Sequence, residues 1–551
     1  MTWLGPYSAR SCPVKTFNAS DPTLTAPPQE EADPAAFQAS RDFREQVLAE
    51  LAACVGAVDL RGEDVEATRA AVAAGAALIV RPMLPRDKEH RRIGSTDALV
   101  RDPASPVPRY WPVKIKPYRV TEKQSGGSGL LVAPVSSPLA REVFANRRYR
   151  TYREGALLEL AHVWRMLEAS GWAAEQPLVG IIDDDQSAGG QVVWVDLSAR
   201  FLRAFSRAQG YKLHSPLSRY DHEYRFRLHV LASAEARTGV DDPPPVVRPI
   251  RIKECEYCEW WEVCRQRMDD DDLSIRLTKT PFDVRELEAL STLGIHTVAE
   301  LAAADVEALV PGFLALTQHR DRGEARLRQA HRRSQMLARG VALERTSAGP
   351  IEAPRAGVEI DFDIETSVEG RVYLWGCLVS GLGEAPRYVS FANFSRMSGE
   401  EEAELAARFA QWLIDFIAEY PETLVYHYSD YELVNLRRIA ARQPVVAAAT
   451  ALAKEHFVDL YQVVRANFIG VEGLGLKVVA TRGADFAWRD DDPGGLQSQT
   501  WFADAVDSPD PQEREAARIR VLEYNEDDVR ATYEVRNWLT ELDASADSAQ
   551  Q

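Results

Sequence analysis

In the stretch EIDFDIET, Glu359, Asp361, Asp363 and Glu365 alternate with Ile360, Phe362 and Ile364. A β-strand sends successive side chains to opposite faces, so the pattern predicts one apolar face and one face of four carboxylates. Like charges that close repel strongly wherever the effective dielectric is low. Divalent cations remove that repulsion, and carboxylate oxygens are the donors that hard ions such as Mg2+ select. Asp363 and Glu365 make a D-x-E pair, a common pattern that gains weight from two later clusters. In TLVYHYSDYELVNL, Asp430 and Glu432 stand where a strand enters a helix. In LEYNEDDVRATYEV, Tyr524 and Asp528 lie four apart and share a helix face.

A second constellation is built of sulfur. CEYCEWWEVC places Cys255, Cys258 and Cys264 in a C-x2-C-x5-C cluster, and Cys12 is the obvious fourth ligand. Close thiols with aromatic residues between them are a metal or iron–sulfur signature in a reducing compartment. A zinc site is the alternative. Cys54 and Cys377 fall within helix or strand patterns and read as ordinary buried thiols.

One remote N-terminal cysteine followed by C-x2-C-x5-C resembles the iron–sulfur-stapled nuclease domains of AddB-type and CRISPR-adaptation nucleases. That resemblance implies a structural 4Fe-4S cluster around a RecB-like PD-(D/E)XK core. Such a core has an upstream His, then G-x-x-D, a strand ending in D/E-x-K, and a helix with Q-x-x-x-Y. His90, Gly94, Asp97 and Lys116 fit, but Lys114 occupies the carboxylate position, and Glu159 and Val163 stand where Gln and Tyr belong. Metal-assisted cleavage needs at least two hard oxygen ligands. The expectation is therefore a degenerate site, unless Glu159 replaces the missing carboxylate. Lys114, Lys116, Arg119 and Lys123, with NRRYRTYR at 146–153, offer local positive charge for phosphates.

The acidic motifs resemble, in their order, the DEDD family of 3′–5′ exonucleases on a ribonuclease H-like fold. The resemblance implies D-x-E at Asp363 and Glu365, a motif-two acid at Glu432 with Asp430 as rival, and Y-x-x-x-D at Tyr524 and Asp528. It also implies that Asp363, Glu365, Glu432 and Asp528 hold two Mg2+ or Mn2+ ions, while Tyr524 orients or helps deprotonate the attacking water. Glu359 and Asp361 match no motif position and read as structural. Asp459 reads as structural or supporting, and Lys477 as a phosphate contact.

The elements that must position these groups predict an α/β multidomain chain. Its 551 residues suit about three or four domains. Alternating strands and helices run from the helix at 37–54 to a helix at 198–209, with loops at 21–34 and from Lys123. The expected division is 1–275 RecB-like and cluster-stapled, 276–342 helical, 343–354 a linker, 355–543 ribonuclease H-like, and 544–551 a disordered tail. Within the helical segment, residues around Gly294 and Thr297 resemble a helix-hairpin-helix. The basic helix that follows offers Arg326, Arg332 and Arg333 for nucleic-acid binding, alongside Arg320, Arg322, Arg328 and Arg339.

A formal net charge of −18 argues against a protein that coats nucleic acid non-specifically. No apolar run reaches the roughly 18 residues that span a bilayer, and MTWLGPYSARSCPVK lacks a signal-peptide pattern, so a soluble, cytoplasmic protein is expected. Over nearly its full length the chain resembles a bacterial family of RecB-like nucleases with a C-terminal ribonuclease H-like exonuclease domain. The resemblance implies a metal-dependent 3′–5′ exonuclease acting on DNA, with a helicase or repair or defence partner. The rival reading is a non-catalytic nucleic-acid-binding or scaffold protein. A redox-sensing cluster that gates binding is a third.

Overall fold

Short apolar runs bounded by turn residues become strands in the computed structural model, which describes residues 2–28, 38–127, 129–184, 190–239, 241–490 and 495–549. The predicted loop at 21–34 lies outside the described residues from 29 on, and that from Lys123 lies outside them at Ser128. The chain divides into two compact units. The first comprises Met1–Arg276, Phe282–Thr297 and Asp305–Arg326. Its strands in chain order are β1 (Ala57–Asp59), β2 (Leu78–Val80), β3 (Ala98–Arg101), β4 (Tyr110–Lys116), β5 (Thr121–Lys123), β6 (Leu130–Pro134), β7 (Glu142–Phe144), β8 (Arg147–Tyr149), β9 (Leu178–Asp183) and β10 (Gln191–Asp196). Eight of them form one mixed sheet in the order β1-β2-β3-β4-β9-β10-β6-β7, while β5 and β8 make a separate antiparallel ribbon. The buried helix Glu154–Ala169 packs against β4, which brings Glu159 towards Lys116.

The predicted helix at 198–209 is instead a hairpin, β11 (Leu202–Ser206) and β12 (Gly210–His214). Phe205 and Tyr211 stand opposite each other with ring centroids 5.2 Å apart, and Gly210 adopts φ 67° at the turn. A cross-strand aromatic pair and a left-handed turn residue outweigh the modest helix propensity of this stretch. The helix lies further on, at Pro216–Glu235, where the Ser215 hydroxyl accepts from the Ser218 amide and Pro216 pre-sets the first turn.

The second unit comprises Leu277–Pro281, Val298–Ala304 and Leu327–Gln551, so the helical segment read as one domain at 276–342 is divided between the units. Its strands are β13 (Leu343–Arg345), β14 (Glu359–Thr366), β15 (Val372–Ser380), β16 (Arg387–Ala392), β17 (Leu424–His427), β18 (Phe457–Asp459) and β19 (Phe468–Gly470). The 343–354 segment is no loose linker: β13 pairs with β19, and Ile351 is buried in the core. The five-stranded sheet runs β16-β15-β14-β17-β18. β14 is antiparallel to β15 and parallel to β17, hence central.

The alternation in β14 does what its period requires. Ile360, Phe362 and Ile364 pack under the helices, with Phe362 stacked on Phe409 at 5.0 Å, each such side chain contributing about 1.5–3 kcal/mol by leaving water. The acidic face meets the helix Pro511–Ala549. That helix runs through the predicted disordered tail to Ala549, because its alanines propagate a helix already nucleated. Among the described residues, no helix is long and apolar enough to cross a membrane.

Arg536, fully buried on this long helix, neutralises half of the acidic face. Its Nη2 lies 2.7 Å from Asp361 Oδ2, and its Nη1 bonds Glu359. Glu359 also accepts from Arg355 Nε at 2.8 Å, the Ala356 amide at 3.0 Å and the Tyr426 hydroxyl at 2.8 Å. Burial raises the Asp361 carboxyl to about 6, with Arg536 opposing the shift. Removing one partner of a buried pair strands the other charge, at about 3–5 kcal/mol. R536M should therefore lower unfolding free energy by about that amount in urea titrations. Adding E359Q and D361N should restore most of it.

Candidate active site

Beyond Arg536 the same strand face carries Asp363 and Glu365. Each of Asp363, Glu365 and Asp528 offers an oxygen within 4.8 Å of the others. Two charges at that distance repel by about 3 kcal/mol at an effective dielectric of 20. The site relieves this in the absence of metal by holding protons. Burial, then Asp528, raises Glu365 to about 8; burial raises Asp528 to about 6; and burial and its three acidic neighbours, Asp528, Glu365 and Glu432, raise Asp363 well above the ordinary carboxylate range. This is the donor chemistry of a divalent-cation site, and these oxygens fit one.

Neighbouring side chains fix each carboxylate. Asn525 Nδ2 donates to Asp363 Oδ2 at 2.8 Å, and the Asn525 oxygen accepts from Tyr388 at 2.7 Å. Gly376, opposite Asp363 on β15, makes this possible: a Cβ there would lie 1.6 Å from Asn525 Oδ1. Ser498 donates to Glu365 at 2.7 Å, and Trp488 Nε1 donates to Asp528 at 2.8 Å. Sequence patterns give no warning of Asn525, Ser498 or Trp488, which lie far along the chain from the groups they orient, nor of Gly376.

Glu432 opens the helix Tyr431–Ala440 and is 3% exposed. Its Oε2 has no hydrogen-bond partner, His427 Nδ1 being 3.6 Å away. Glu432 lies outside the tight trio, yet its charge acts on Asp363. The rival, Asp430, is exposed at the helix N-cap without capping it. Tyr524 is 3% exposed, its pKa driven far up by burial and then Asp528, and its oxygen accepts from Lys477 Nζ at 2.9 Å. Asp459 accepts from the Ser429 amide at 3.0 Å and supports the turn before Glu432.

The N-terminal acids have a different environment. Asp97 accepts from Arg44 Nη2 at 2.7 Å and the Ile115 amide at 2.7 Å, with Lys114 Nζ 3.6 Å away. Glu159 is held by Lys116 at 2.6 Å and Arg10 at 2.9 Å. Each carboxylate is matched by two side-chain cations, and neither belongs to a carboxylate cluster among the described residues. His90 makes its contact elsewhere, with Nδ1 3.3 Å from Asp87.

The arginines predicted to bind nucleic acid are likewise engaged within the protein. Arg326 grips Glu286 through two bonds of 2.9 Å, Arg332 donates to Glu344 at 2.8 Å, and Arg333 donates to the Gly470 carbonyl at 3.0 Å. A basic helix in an acidic chain serves here to tie acidic elements together.

Cys12, Cys255, Cys258 and Cys264 line one small cavity walled by Trp260 and Trp261. Burial raises all four thiols, Cys264 to about 11. The Ile252 amide donates to Cys255 Sγ at 3.4 Å and Asn18 Nδ2 to Cys264 Sγ at 3.6 Å. Among the described residues no three of these sulfurs lie within 4.8 Å of one another.

A family model of the RNase_H superfamily matches residues 360–540. The chain carries a ribonuclease H-like domain. The matched segment holds β14 from Ile360 on, β15 to β19 and the long helix as far as 540, and with them every member of the acidic site. No curated protein and no solved structure matches the chain.

The raised carboxylates of this domain give a pH dependence with a fixed sign. Glu365 at about 8 and Asp528 at about 6 bind protons more tightly folded than unfolded, where carboxyls titrate near 4. Their stabilising contribution is full below pH ~4 and is lost as pH rises through about 8. In EDTA, the melting temperature of wild type relative to D363N should fall between pH 5 and 8.5, and Mn2+ should reverse the fall. A difference that is flat with pH would count against the coupling.

Proposed function

We propose that this protein is a metal-dependent nuclease, a 3′–5′ exonuclease acting on DNA, with its chemistry in the ribonuclease H-like domain. The observation that carries this reading is the convergence of Asp363, Glu365 and Asp528 within 4.8 Å of one another, beside two acids that Arg536 has already neutralised. Direction and DNA preference are what the motif resemblance adds. Glu432, with its unpartnered oxygen, completes the four-carboxylate set. Divalent ions in such a set supply an activated water and charge neutralisation at the leaving oxygen.

The chain's own groups then have distinct tasks. Asn525, Ser498 and Trp488 hold three carboxylates in register. Tyr524, kept protonated by its surroundings, orients the attacking water by hydrogen bonding rather than by taking its proton. Lys477, held on Tyr524, offers positive charge to the scissile phosphate. A second reading, nucleic-acid binding without cleavage, is favoured for the N-terminal unit alone, where ion pairs occupy Asp97 and Glu159. That unit is read as a RecB-like nuclease fold turned to holding substrate.

On the motif resemblance, the four cysteines that line this cavity are read as the ligands of a 4Fe-4S cluster that staples Cys12 to the segment 255–264. The preference over zinc comes from the motif resemblance alone, since the sulfurs are not gathered within 4.8 Å of one another. Anaerobically purified protein should be brown and carry about four irons per chain. Colourless protein with one zinc would overturn the assignment.

The catalytic reading is tested with 5′-labelled single- and double-stranded DNA and Mn2+. A ladder shortening from the 3′ end is expected. D363A should slow it about a hundred-fold or more, the several kcal/mol that metal-held charge supplies, whereas D97N, with folding checked by circular dichroism, should cut near the wild-type rate. Equal rates for D363A and wild type would refute the site, and immediate release of the labelled nucleotide would refute the polarity.

A further inference from the structure

The ribbon of β5 and β8 concentrates positive charge in an acidic chain. Residues 118–153 hold seven Lys or Arg against two Glu and no Asp, while the whole chain carries −18. One face of the ribbon is neutral, Arg148 donating to Glu122 at 2.6 Å. The other pairs Lys123 directly opposite Arg147, a like-charge cross-strand pair that an anion laid over it would relieve.

Aromatic rings are interleaved with these cations. Tyr152 is 66% exposed and stands between two arginines. The Arg150 Nη1 donates to its hydroxyl at 2.8 Å, and the Arg153 guanidinium lies 5.4 Å from its ring centre. Arg153 also stacks on Tyr118 at 4.1 Å, and Arg147 lies 5.1 Å from the exposed ring of Phe144. Tyr118 in turn feels the charge of Glu159, so this surface leads to the ion-paired Glu159. A large aromatic side chain held open to solvent by arginines matches one ligand chemistry well. Bases stack on the ring while the guanidinium groups take the flanking phosphates. A duplex keeps its bases stacked inside and cannot use such a ring.

We infer that the ribbon of β5 and β8, with Tyr152 as stacking platform, is a binding site for single-stranded nucleic acid that holds substrate without cutting it. The inference rests on the nuclease reading, and its test is made in EDTA, where cleavage is silent, so the two can fail separately. Full-length protein is titrated into a fluorescein-labelled oligothymidylate of about twenty nucleotides, longer than the roughly 4–16 that one single-strand-binding module covers, and anisotropy is read. Y152A should weaken binding roughly ten-fold or more, and K123A should lower the salt slope by about 0.7. Both side chains are exposed, and far-UV circular dichroism confirms folding. Wild-type affinity in both variants would overturn the site. So would equal binding of a blunt duplex, or displacement of the labelled strand by polyglutamate as readily as by unlabelled strand, which would indicate a surface for acidic protein.

Discussion

The buried guanidinium of Arg536 divides one acidic strand into two halves with opposite fates. Glu359 and Asp361 receive an internal cation and become structure. Asp363 and Glu365, one and two strand steps further on, have no such buried guanidinium, only the charge of Lys477 acting on Glu365 and Asp528, and Asp528 from the same long helix joins them. A strand with four free carboxylates would be too costly, and one with four internal counter-ions would have nothing left for a metal. The long helix supplies both outcomes, because Tyr524, Asn525, Asp528 and Arg536 all face β14 along its length.

The N-terminal unit shows the same rule with the other result. Asp97, just before β3, and Glu159, on the helix over β4, are both buried. Arg44 and Lys114 take one, and Lys116 and Arg10 take the other. Whether a buried acid is a ligand or a brace is decided by where cations lie. Two pairs of acids in one chain have gone opposite ways.

Much of the C-terminal domain was legible because its signals are local. Strict alternation marked β14, and the four-residue spacing of Tyr524 and Asp528 marked a helix face. What sequence concealed is long-range pairing. Arg536 lies far along the chain from the acids it neutralises, as Asn525 does from Asp363, and no periodicity connects them. The partners of Arg326, Arg332 and Arg333 were hidden for the same reason: a run of arginines advertises charge, while Glu286, Glu344 and the Gly470 carbonyl, which they bond, lie elsewhere. The hairpin at 202–214 was hidden because the Phe205–Tyr211 pair stabilises it only once the chain has turned.

Mn2+ titration of the full-length protein by isothermal calorimetry tests most directly whether uncompensated carboxylates make the metal site. Wild type should bind Mn2+ in the ribonuclease H-like domain, D363N should abolish that binding, and D97N should leave it intact. Binding that survives D363N, or that depends on Asp97, would contradict the account.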